Sequence, residues 1–99
     1  MAQVIRVATL DQFVAKDLEN LLRFWHGVPE LAEEWPEWDD LSRSDVVIQY
    51  PILRGARSKV MKAAKAGLLD EGQRRKYEEL LRLIEEHRAT VEWMLDGPI

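Results

Sequence analysis

Two stretches of this chain place apolar residues three or four apart, and that spacing limits the folds open to it more than any other feature. In the first, Leu10, Phe13, Val14, Leu18, Leu21, Leu22 and Trp25 recur at steps of three, one and four. In the second, Tyr77, Leu80, Leu81, Ile84, Val91 and Met94 or Leu95 do the same, with His87 or Arg88 interrupting the row. A helix turns once every 3.6 residues, so such spacing lines one face of a helix with apolar side chains. Each stripe must be buried against another element. The expected fold is therefore mostly α, a small bundle of three main helices with a C-terminal αα-hairpin.

The boundaries follow from local chemistry. Residues 1–8 contain "QVIRVA", β-branched and partly alternating, which predicts a short strand or an extended arm. A lone strand leaves its amides unpaired unless a symmetry mate supplies the partner strand. Thr9 with Gln12 three residues on reads as a capping box, and Gly27 and Pro29 read as stop signals, which predicts helix 1 over 9–26. Residues 28–50 form an acidic, Trp-containing connection. Within it "VPELAEEW" suits a short helix, 35–44 a loop, and 45–50 either a short helix or an extended segment. Ser44 or Asp45 is a candidate cap, and Tyr50 is biased away from helix by Pro51. Residues 51–96 read as a helical hairpin: one helix over 51–66 ending at Gly67, then another from its cap Asp70 to a stop at Gly97 and Pro98.

Ninety-nine residues predict a single domain with one modest core. Four Trp, two Tyr and two Phe supply enough apolar area to order it. The chain has no cysteine, which removes disulfides and thiolate chemistry. The N-terminus lacks the basic start and apolar run of a secretory signal. No window nears the ~18 apolar residues of a membrane span. The expected location is cytoplasmic, with no membrane partner.

Charge is unevenly divided. Residues 28–45 hold seven acids and one base, a net of −6; residues 54–76 hold eight bases and two acids, a net of +6. The basic hairpin, through Arg54, Arg57, Lys62, Lys65, Arg74 and Arg75, has the outline of a nucleic-acid-binding unit. Against that stand the overall net charge of −4 and the scarcity of residues that read base edges, with only Ser58 and Gln73 near the bases. The alternative is a solvated face matched to the acidic segment, within one chain or across a two-fold axis, which fixes register more than it adds affinity.

Catalytic signatures are missing. His26 and His87 are each alone, and a metal site would require both to meet a carboxylate in the fold. No serine lies in a Gly-rich elbow, and the five glycines are scattered. The expectation is a protein that is not an enzyme and uses no cofactor or metal. "AEEWPEWDD" remains the most suggestive stretch. Trp35 and Trp38, flanked by Glu34 and Asp39, can clamp the end of the bundle or present a hot spot to a protein partner. Trp93 is out of line with its helix's stripe. The combined expectation is a small interaction protein that binds another protein or itself as a homodimer. Small bacterial regulators and antitoxin-like partners have this make-up, an analogy of class and not of motif. Nucleic-acid binding is the second reading.

Overall fold

The computed structural model describes the backbone of residues 2–97 and 99, and the side chains of residues 12–97 and 99. Three helices follow one another: α1 (Ala2–Glu34), α2 (Asp40–Lys65) and α3 (Glu71–Leu95), with a 3-10 turn at Trp35–Glu37 between the first two. Among the described residues there is no strand. The bundle is long and narrow, 51 × 25 × 19 Å, as a 33-residue helix of ~50 Å requires.

α1 is the central element. It packs most closely on α3 and next on α2, while the two arms of the α2–α3 hairpin touch each other least. Its buried row is Val14, Leu18, Leu21, Trp25 and Val28, at steps of four and three. α3 answers with Leu80, Leu83, Ile84, Val91 and Met94, and α2 with Tyr50, Val60 and Ala63. Phe24 joins the two faces of the core, edge-on to Trp25 at 5.6 Å and tilted against Tyr50 at 5.9 Å. Two members of the expected stripes lie outside this core: Phe13 and Leu81 are exposed, and Leu83 takes the inward place beside Ile84.

Several expected boundaries are corrected. Residues 3–8 are helical and not a strand, and α1 runs through Thr9, so Thr9 does not start a helix. Val and Ile lose only a few tenths of a kcal/mol in a helix, and extending one already nucleated adds a bond per residue. Nor do Gly27 and Pro29 end α1, which includes both. Residues 45–50 are helical, in a single α2 that begins at Asp40 and passes through Pro51.

The physical reason is the same at both prolines. Each removes one backbone hydrogen bond and crowds the preceding turn, about 3 kcal/mol in a helix interior. Each sits on the exposed side, with a buried residue directly before it: Val28 before Pro29, Tyr50 before Pro51. Fully burying one such side chain contributes roughly 1.5–3 kcal/mol. Trp25, Val28 and Tyr50 together thus outweigh the local penalties. At Pro36 the outcome is reversed, and α1 stops at Glu34.

The hairpin connection is built as its sequence predicts. Gly67 has φ +71°, with the Leu68 amide donating to Ala63 O at 3.0 Å and the Gly67 amide to Ala64 O at 3.1 Å, a Schellman closure. Asp70 caps α3: its Oδ1 accepts from the Gln73 amide at 2.8 Å, and Gln73 Oε1 accepts from the Asp70 amide at 3.0 Å.

Candidate functional site

The acidic connection folds as a knot around one tryptophan. Pro36 forces the chain off the helical path, and the 3-10 turn that follows swings Trp35 inward, where it is buried. Trp38 lies against it, ring centroids 6.0 Å apart, and remains partly exposed. Arg43, the single base of residues 28–45, reaches back from the first turn of α2. Its Nε donates to Trp35 O at 3.0 Å and its Nη2 to Pro36 O at 2.9 Å, while the guanidinium sits 5.7 Å from the Trp35 ring. Two carbonyls of the 3-10 turn thereby gain a charged donor, and Trp35 O also accepts from the Trp38 amide at 3.2 Å.

Asp39 has a structural task. It is the N-cap of α2, its Oδ1 accepting from the Ser42 amide at 2.7 Å. That amide, then the Ser42 hydroxyl and the Leu41 amide, hold its carboxyl below the ordinary value. Ser44 and Asp45, the caps expected from sequence, lie in the second turn, where the Ser44 hydroxyl donates to Asp40 O at 2.7 Å. Glu34 closes α1 and is exposed.

Beside this knot, α2 and the end of α3 leave an open groove of about 470 Å³. It is lined by Trp35, Arg43, Val47, Ile48, Met94 and Leu95, with Asp40, Ser44 and Asp96 completing the wall. A second groove of about 370 Å³ opens at the far end of α2, between Phe13, Val14 and Asp17 of α1 and Lys59, Lys62, Ala63, Ala66 and Leu68. The large exposed apolar residues cluster around both: Val47 and Ile48 at the first, Phe13 and Leu68 at the second, and Leu41 and Ile52 along α2. Leu41, Ile48 and Ile52 belong to neither of the apolar stripes evident in the sequence. They recur at steps of seven and four, but that spacing carries meaning only when 41–52 is one helix, whereas local signals divide it into a loop to 44, a segment over 45–50 and a helix from 51. Trp93 is the most exposed tryptophan with described burial, on the outer face of α3.

The basic residues are less uniform than their spacing suggests. Arg54 stacks over the Tyr50 ring at 5.6 Å, and Arg57 is half-buried. Burial pushes the Tyr50 phenol up, with the Arg57 and Arg54 charges acting the other way. Lys62 and Lys65 are exposed, and Arg74 and Arg75 share a depression with Glu71 and Glu78, where Arg75 donates to Glu71 at 2.9 Å. The ion pairs of the described residues otherwise run along α1 and α3 or join them through His26 and Glu79 at 3.2 Å. None of these pairs links the acidic segment to Lys59, Lys62 or Lys65. His26 and His87 do not meet in a common site, and among the described residues no three His, Asp or Glu side chains converge as a metal would need. No helix of the described residues is long and apolar enough to cross a membrane. Comparison with protein-family models, curated proteins and solved structures gave no match.

Proposed function

We propose that this chain is a small non-catalytic interaction protein that binds another protein, in the manner of regulatory or antitoxin-like partners, and also pairs with itself. One observation carries the reading. Leu41, Val47, Ile48 and Ile52, four large apolar side chains, lie exposed on the first half of α2, and Val47 and Ile48 line a groove with Trp35 and Met94. Single exposed apolar residues are ordinary, but a cluster rimmed by charge marks an interaction surface. Asp40 and Asp96 stand in the groove's wall beside Arg43, and Glu34, Trp38 and Asp39 belong to the adjoining acidic connection, so the partner that suits it is an amphipathic helix with basic flanks. Trp35 lines the groove, and Trp38, the less buried of the pair, is the one we propose to touch a partner.

The test is cross-linking from a photoreactive residue at position 38 in native lysate. A stoichiometric protein partner, lost in Val47→Asp and Ile48→Asp variants, supports the proposal; recovery of nothing beyond the chain itself counts against a heterologous partner. Titration with duplex DNA at low salt covers the nucleic-acid alternative. Binding that weakens steeply with salt and disappears on charge reversal at Lys62 and Lys65 would move the function to the basic end.

A further inference from the structure

We infer that the surface for self-association is the exposed seam of α2, and that two copies pair antiparallel about a two-fold axis at Ile52. The inference rests on the interaction-protein reading and specifies its geometry.

The seam is a second helical stripe, distinct from the core face. Leu41, Ile48, Ile52, Gly55, Lys59 and Lys62 follow one another at steps of seven, four, three, four and three, the spacing of residues facing a neighbouring helix. Their side turns away from Tyr50 and Val60, which are buried. Leu41, Ile48 and Ile52 are 77%, 69% and 72% exposed, more than any other large apolar side chains with described burial.

Charge names the occupant. The seam is acidic toward its start, at Asp45, and basic toward its end, at Lys59 and Lys62. A parallel copy would set like charges together. An antiparallel copy sets opposite charges together, and the register follows from symmetry. With Ile52 on the axis, residues equally far before and after it face one another, so Asp45 meets Lys59 of the second copy, twice over. Ile48 then faces Ala56, beside Gly55, where a built Cβ meets nothing within 4 Å, so no side chain of one copy stands in the way at that place. Leu41 falls opposite Ala63, at the groove bordered by Phe13 and Leu68. One arrangement thus covers Phe13, Leu41, Ile48, Ile52 and Leu68, five of the eight large exposed apolar side chains among the described residues. It also brings the acidic segment over lysines that pair with none of its residues inside one chain. The groove at Trp35 lies to the side of this seam, with Ile48 at the border between them.

The experiment is sedimentation equilibrium across a concentration series, at low and at moderate salt. Wild type is expected to dimerise, more weakly as salt rises. Ile52→Asp sets two like charges on the axis and is expected to weaken association by more than about tenfold, with helicity unchanged because the side chain is exposed. Lys59→Glu also weakens it, and Asp45→Lys in the same chain restores it, a rescue that general damage to the fold would not give. The absence of native cysteine allows a direct test of register: Ile52→Cys forms a disulfide-linked dimer on mild oxidation, and Ser58→Cys, off the seam, does not. A wild type that stays monomeric throughout the series overturns the inference and leaves partner binding at Trp38 standing. A dimer that ignores Ile52→Asp and the charge exchange also overturns it and assigns self-association to another face.

Discussion

Arg43 holds the backbone of Trp35 and covers its ring: the guanidinium donates to the Trp35 carbonyl at 3.0 Å while lying 5.7 Å from the indole centroid. A second donation, to Pro36 O, fixes the turn on its other side. The acidic connection therefore contains its own counter-charge, used to close a turn. Arg43→Ala is expected to destabilise the fold by about 1–2 kcal/mol, from two charge-assisted hydrogen bonds in a partly exposed setting. Urea unfolding followed by tryptophan fluorescence checks this, and a midpoint equal to wild type would show that the turn closes without the clamp.

The tryptophans should separate by burial and not by position in the chain. Trp35→Ala empties a core site and is expected to cost about 3–5 kcal/mol. Trp38→Ala, partly exposed, should cost about 1 kcal/mol, and Trp93→Ala, on the outer face of α3, about 0.5 kcal/mol or less. Equal losses at Trp35 and Trp93 in chemical denaturation would mean that the inward turn at Pro36 is wrong.

Asp39 links stability to pH. Its carboxyl is held below the ordinary value by the Ser42 amide first, so its folded-state pKa is depressed. A depressed carboxylate contributes stability that is present above its unfolded pKa, about 3.9, and is lost as pH falls through the folded pKa. Asn also caps helices but carries no charge. The melting temperature of wild type should therefore exceed that of Asp39→Asn above about pH 5, and the gap should close under stronger acid. A gap that is constant through acid titration would assign the effect to cap geometry alone.

Pro29 and Pro51 should be replaceable with gain. Both lie on exposed sides of helices that continue through them. Pro29→Ala and Pro51→Ala each restore a backbone donor and are expected to stabilise by about 1–3 kcal/mol. Thermal melts and far-UV circular dichroism check this, and destabilisation at either site would show that the helix is bent there to fit the core.

The sequence by itself determined the class of fold, because class depends on periodicity. The rows Leu10 to Trp25 and Tyr77 to Met94 have helical spacing whatever they pack against, and the Gly67 and Asp70 signals act within a few residues of themselves. Only the tertiary structure decided where the helices begin and end around Pro29 and Pro51. The local penalty there competes with the burial of Val28 and Tyr50, which depends on residues far away in the chain. The same holds for the candidate site. The spacing of Trp35 and Trp38 cannot say which one points inward, and Asp39 looks like a surface acid until Ser42 is placed above it. The seam at Leu41, Ile48 and Ile52 emerges only when 40–65 is one helix, since three side chains share a face only if the turns between them are continuous.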